Sequence, residues 1–301
     1  MDRTIAELVR LRYVNLYCIH IKCKRNMPEL PEVETVRRGL QPVLEGQKLT
    51  SVVVRRSGLR IPFPKEFAKK LTGKTISHLT RRAKYLLIHI EGGDVVIIHL
   101  GMSGHMTILT KDVPKPGKHD HVDFCTSNNV IVRFNDPRRF GLMTLTTEKD
   151  LEGHKLFKNI GPDPLANNFN HITLADALAG RKASIKVALL DQKTIAGLGN
   201  IYVSESLFRS GISPVRRAHS ISGVEVEKLT KCIREVLTEA LEAGGSSLND
   251  HVKPDGKLGY FQNSFKVYSK GDEICNRCLK AQIKKIKQSG RSTFYCPICQ
   301  S

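Results

Sequence analysis

Cys275-x-x-Cys278 and Cys296-x-x-Cys299 stand 17 residues apart. Each C-x-x-C brings two thiols onto one tight turn, and two such turns complete a tetrahedron of soft ligands. Four sulfurs leave no position open for a reactant, so the expectation is one structural Zn²⁺. The stretch between them, "IKKIKQSGRSTFY", reads as a basic hairpin with Ser-Gly near its tip. Cys18, Cys23, Cys125 and Cys232 are scattered. This usage favours metal binding in a reducing compartment over a disulfide framework.

A second concentration of chemistry lies in "KRNMPELPEVETVRRGL", residues 24–40. Glu29, Glu32 and Glu34 follow Pro28 closely. The segment reads like a chain start, although 26 residues precede Met27. Pro31 suits the first turn of a helix, and Leu30, Val33, Val36 and Leu40 make its apolar stripe. The positive end of that helix would lie beside Pro28.

Two turns offer contacts for an anion. Gly197-Leu198-Gly199-Asn200 lies between two helical patterns, where glycines let backbone N–H groups face a phosphate. A plain helix–helix turn explains it as well, although Lys186 and Asn200 favour a phosphate clamp. In "VIVRFNDPRRFG", Arg138, Arg139 and Phe140 share one proline turn. Such a turn either enters a duplex and fills a gap in its stack or is a salt-bridged hairpin tip.

The elements that must carry these residues fall into two kinds. Residues 49–147 hold "LTSVVVRR", "KYLLIHI", "DVVIIHL", "HMTILT", "HVDFCT" and "VIVRFND", short β-branched runs with tight turns between them. This predicts an antiparallel sandwich or barrel. "NIGPDPLANNFN", 159–170, predicts a linker. Helical patterns follow in "LADALAG", "KASIKVALLDQ", "NIYVSESLFRSG" and "VEVEKLTKCIREVLTEALEAGG", the last with a Ser222/Glu225 capping box and Gly244 as its stop. The fold class expected is α+β multidomain: residues 1–26 an extension, 27–158 a sandwich domain with a leading helix, 171–253 a helical domain, and 254–301 a loop and metal finger.

The 301 residues carry a formal charge of +19, which calls for a polyanionic partner, nucleic acid first. No apolar run reaches the roughly 18 residues of a spanning helix, and no cleavage site follows the "YVNLYCIHI" stretch. The location expected is cytoplasmic.

Taken in order, Met27-Pro28-Glu29-Leu30-Pro31-Glu32, Arg82-Ala83-Lys84-Tyr85, His99-Leu100-Gly101-Met102-Ser103-Gly104, Lys118-His119-Asp120-His121, Asp136-Pro137-Arg138-Arg139-Phe140-Gly141, Gly199-Asn200-Ile201-Tyr202 and the four cysteines resemble bacterial formamidopyrimidine-DNA glycosylases. The resemblance runs over 27–301. It implies a helix–two-turn–helix motif in the helical domain and a C-terminal zinc finger. It also implies a monomeric enzyme that flips oxidised purines, such as 8-oxoguanine, from double-stranded DNA, excises them, and cuts the abasic strand by β- and δ-elimination. By resemblance, Pro28 is the nucleophile as an N-terminal secondary amine, Glu29 the general acid–base, Lys84 a lysine near the lesion phosphate, and Arg291 the arginine of the second elimination. Glu32 supports the site. Met102, Arg138 and Phe140 fill the gap left in the helix. His119, Arg138, Arg181, Lys186 and Asn200 contact DNA, and "PDGKLGYF", 254–261, closes over the flipped base. At 181 the family often has lysine, and at Leu258 proline.

An internal Pro28 is a tertiary amide with no basic lone pair. The working enzyme is therefore expected to begin at Pro28, without the extension's six basic and two acidic residues. Two other readings compete. One is the sister endonuclease VIII-like branch for oxidised pyrimidines, which tends to begin Pro-Glu-Gly-Pro where Leu30 stands here. The other is a damaged-DNA-binding protein blocked at its N-terminus.

Overall fold

A computed structural model describes residues 27–246, 254 and 259–301. The extension 1–26 and half of the 254–261 loop, residues 255–258, lie outside the described residues.

Leu30–Leu44 form α1, with Leu30, Val33, Val36, Leu40 and Leu44 buried. The helix starts one residue earlier than its proline suggested, because Glu29 serves as the cap. Strands follow at Leu49–Val54 (β1), Ile76–Arg82 (β2), Tyr85–Ile90 (β3), Asp94–His99 (β4), His105–Leu109 (β5), Asp120–Thr126 (β6), Ile131–Asn135 (β7) and Leu142–Thr147 (β8), with a short helix, α2, at Phe67–Leu71. They make two four-stranded antiparallel sheets, ordered β1-β6-β7-β5 and β2-β3-β4-β8. Their inner faces and α1 share one core, which includes Val36, Leu40, Ile88, Ile98, Phe124 and Phe134. Leu87, Val95, Ile97 and Phe157 form a smaller core on the other face of the second sheet.

The helical part contains α3 (His171–Leu178), α4 (Ile185–Leu190), α5 (Asn200–Ser210) and α6 (Gly223–Glu242). Ser222 and Glu225 make the reciprocal cap of α6: Ser222 N–H donates to Glu225 Oε2 at 2.8 Å, and Glu225 N–H to Ser222 Oγ at 3.4 Å. Lys284–Gln288 (β9) and Arg291–Tyr295 (β10) pair as the finger hairpin. Ser289 and Gly290 both take positive φ, 45° and 78°, as the tightest hairpin turn demands. The finger is no separate body. Phe294, Cys275, Cys296 and Ile283 share one apolar core with Tyr202, Phe208 and Leu237.

Two groups of contacts fasten the sandwich to the helices. Arg81 donates to Glu34 at 3.3 Å, to Asp163 of the linker at 2.7 Å and to the Ala83 carbonyl at 3.0 Å. Leu30 N–H donates to Gly197 O at 3.1 Å. The start of α1 and the glycine turn are thereby held face to face.

Candidate active site and nucleic-acid interface

Glu29 caps α1, yet its carboxylate serves a different helix. Ile201 N–H donates to Oε1 at 3.0 Å and Tyr202 N–H lies 3.5 Å from Oε2, so the first turn of α5 holds the acid. Gly199 makes this approach possible. A Cβ there would lie 2.2 Å from Glu29 Cδ, and one at Gly197 would lie 2.6 Å from Leu30 Cδ1. These glycines admit a carboxylate and a leucine of the chain's own front. Burial pushes the Glu29 carboxyl up to about 7, against the opposing pull of Lys84.

Lys84 sits on the two-residue turn between β2 and β3, where Ala83 takes φ 53°. Its Nζ crosses the domain boundary and donates to Leu198 O at 2.8 Å. Burial lowers its pKa, partly countered by Glu29, while Arg291 lowers it further. Arg291, exposed at the start of β10, is thus close enough to act electrostatically on the buried lysine. Pro28 is buried directly ahead of Glu29. The structure therefore gathers Pro28 and Glu29, Lys84 and Arg291 from three distant stretches of chain.

Glu32 is 2% exposed and saturated with donors. Glu29 N–H reaches Oε2 at 2.9 Å; Tyr202 O–H, Ser246 N–H and Ser246 Oγ–H reach Oε1 at 2.5, 2.9 and 2.9 Å. Sequence reasoning missed Tyr202 and Ser246 in this role. Nothing local marks residues that meet Glu32 only through tertiary folding.

The loops 101–104 and 136–141 form a second unit. Asp136, fully buried, accepts Ser103 Oγ–H at 2.6 Å and Gly141 N–H at 2.8 Å. A Cβ at Gly101, where φ is +70°, would lie 2.4 Å from Gly141 N. Gly101 N–H donates to His99 Nδ1 at 2.9 Å, which needs a neutral ring, and burial lowers the His99 pKa to about 4. Above this base Arg138 stacks over Phe140 at 4.7 Å, Phe140 is exposed, and Met102 is half-buried. His119 joins from below, its carbonyl accepting Asp136 N–H at 3.0 Å.

Three expected DNA contacts sit differently from an open clamp. Lys186 is fully buried; its Nζ donates to Ser292 O at 2.8 Å and Thr293 Oγ1 at 2.7 Å, and burial lowers its pKa to about 7. Asn200 Nδ2 donates to the same Ser292 carbonyl at 2.9 Å. Both tie the finger hairpin to α4 and α5. Arg181 pairs with Asp191 at 3.0 Å.

At the other end of the finger, the sulfurs of Cys275, Cys278, Cys296 and Cys299 lie within 4.8 Å of one another. Cys275 and Cys299 are 3.8 Å apart, Cys278 and Cys296 3.7 Å. A disulfide would be about 2.05 Å. Zinc–sulfur bonds of about 2.3 Å in a tetrahedron put sulfurs about 3.8 Å apart. The four residues fit such an ion. Among the described residues no helix is long and apolar enough to cross a membrane.

Comparison with known proteins agrees with this geometry. Residues 27–143 match the model of the formamidopyrimidine-DNA glycosylase N-terminal domain, and 160–252 that of the H2TH domain of the same enzymes. The chain belongs to the formamidopyrimidine-DNA glycosylase family. The glycosylase of Azorhizobium caulinodans is 50% identical over 293 residues, covering 91% of this chain and 100% of that protein. That of Rhodospirillum rubrum is 52% identical, covering 90% and 98%. Among solved structures, a Lactococcus lactis family member bound to DNA containing Fapy-dG superposes with a TM-score of 0.84 at 37% identity, covering 91% of this chain and 100% of that one. The same bacterium's enzyme on DNA with an abasic site gives 0.83 at 37%, covering 91% and 99%. As a family member this glycosylase is a DNA-repair enzyme, with the sandwich, helix–two-turn–helix and finger seen here.

Proposed function

We propose that this glycosylase excises oxidised purines, 8-oxoguanine and formamidopyrimidines, from double-stranded DNA through a Schiff base on Pro28, then cleaves the abasic strand by β- and δ-elimination. The Pro28 secondary amine attacks the anomeric carbon of the flipped nucleotide and the base departs. The iminium left on the sugar acidifies the adjacent C–H bond, and elimination expels the 3′ phosphate. Glu29 protonates the sugar ring oxygen and then shuttles protons. The observation that carries this reading is its carboxyl at about 7, buried beside Pro28, which lets it give and take a proton near neutrality. Lys84 and Arg291 face the phosphates of the lesion strand, and Arg291 assists the second elimination. Met102, Arg138 and Phe140 occupy the gap in the duplex; His119 and Arg181 hold its backbone, and Lys186 and Asn200 set the Arg291 hairpin against it.

Zn²⁺ on Cys275, Cys278, Cys296 and Cys299 is structural and keeps the Arg291 hairpin in place. The chemistry needs a free amine, so residues 1–26 are absent from the working form. That form acts as a monomer in the bacterial cytoplasm.

The test is borohydride trapping on a duplex with 8-oxoguanine opposite cytosine. A protein beginning at Pro28 is expected to become covalently attached, and the 301-residue chain is not. Equal trapping by both removes Pro28 as the nucleophile.

A further inference from the structure

Among the described residues, Arg56 has no anion of its own. Its Nε is buried without a hydrogen-bond partner, and the guanidinium makes no hydrogen bond or ion pair with any described residue. The neighbouring carboxylates are all engaged. Asp123 takes Arg55 at 2.6 Å and Arg133 at 2.9 Å. Asp120 takes Gly117 N–H at 2.8 Å and Asn135 Nδ2 at 2.7 Å, and Asp136 is filled by Ser103 and Gly141. The buried Nε without its hydrogen bond costs on the order of 1–3 kcal/mol, while Arg56 as a whole is only half-buried, so its outer nitrogens are open to an anion that arrives from outside.

Its surroundings say which one. Arg55 N–H pairs with His121 O at 2.9 Å, which carries the β1–β6 ladder to Arg56. The charges of Arg56 and His119 both act on the His121 ring, whose Nε2 bonds Asp136 O at 2.9 Å. Immediately beyond Arg56, the 57–63 turn is tied to the loop of Arg138 and Phe140 by Arg60 N–H to Gly141 O at 3.0 Å. Arg56 therefore stands at the foot of the loop that carries the stacked Arg138–Phe140 pair.

We propose that Arg56 and His119 together seat one phosphate of the DNA backbone beside the 136–141 loop. This rests on the DNA reading above. It assigns a contact that depends on neither the reacting sugar nor the flipped base, so it strengthens undamaged and damaged duplexes alike.

The experiment is the salt dependence of binding of the full chain to two duplexes, one undamaged and one with a tetrahydrofuran site. Each neutralised phosphate adds about 0.9 to the slope of log K against log salt. Arg56→Gln is expected to lower the slope by about 0.9 on both duplexes, with no loss of thermal stability. Arg55→Gln removes the same charge one residue away, from a guanidinium already held by Asp123, and is expected to leave the slope as it was. Phenylglyoxal modification of the unaltered protein gives a reading free of folding effects: Arg56 reacts in the free chain and is protected by DNA. An unchanged slope in Arg56→Gln, an equal fall in Arg55→Gln, or no protection overturns the seat while binding by the parent chain preserves the DNA reading. Failure of the parent chain to bind either duplex removes both.

Discussion

The Glu29 carboxyl can be tested by stability as well as by activity. Its pKa rises from an ordinary 4.5 to about 7 on folding, so between those pH values the folded chain holds a proton that the unfolded chain has lost. Its contribution to stability therefore falls as pH rises through that window. Glu29→Gln is expected to flatten this part of a denaturation profile taken from pH 4.5 to 7.5 and to slow excision by about 10²–10⁴-fold. Glu32 is an acceptor satisfied by Glu29, Tyr202 and Ser246. Tyr202→Phe removes one donor to a charge and should cost about 1.5–3 kcal/mol in urea unfolding. The sequence pointed to Glu29 and Glu32 because they lie in one run with Pro28. It pointed to Lys84 and Arg291 only as members of an ordered set of motifs. It gave no sign of Ser246 as a Glu32 donor or of Arg56 as a lone cation, since both facts depend on which neighbours are already engaged.

At the scale of elements, the glycine turn has a use that its spacing did not reveal. The sequence left open an anion seat or a plain helix–helix turn, and the anion nearest it is the chain's own Glu29. Gly199→Ala would drive a methyl group to 2.2 Å from the Glu29 carboxyl carbon. The expected outcome is a loss of at least 100-fold in single-turnover excision, with about 1–3 kcal/mol of destabilisation. Among the strands, β1, β3, β4, β5, β6 and β7 were legible from their β-branched runs. β2 was not, because "ISHLTRR" alternates poorly and its outer residues are basic or polar. α2 is five residues long and has no period to detect. The finger was legible from four cysteines alone, but its anchorage was not: Lys186 and Asn200 read as phosphate ligands and instead converge on Ser292 O. Chelation of the finger's metal is expected to release one zinc per chain and, by freeing this hairpin, to abolish cleavage, as measured by a colorimetric zinc indicator beside a nicking assay.

For the whole molecule, the decisive contacts cross between bodies. Arg81 is 10% exposed at its side chain and binds Glu34 of α1 and Asp163 of the linker together. Arg81→Met, of similar length, takes the ion pair from Asp163 and leaves Glu34 with Arg37 and Arg38 alone, and should lower unfolding stability by about 1.5–3 kcal/mol; a loss under 1 kcal/mol would mean that Arg81 does not fasten the two bodies. Composition predicted the kind of partner through its charge, yet it could not show that the sandwich and the helices face each other across Glu29. The pocket around that acid takes its walls from residues 84, 197–202 and 246 and from the 291–293 hairpin. Synthesis delivers Glu29 more than 250 residues before Ser292. A nascent polypeptide thus carries its acid long before it owns a cavity to hold it, and the ribosome must finish the last strand before any damage can be repaired.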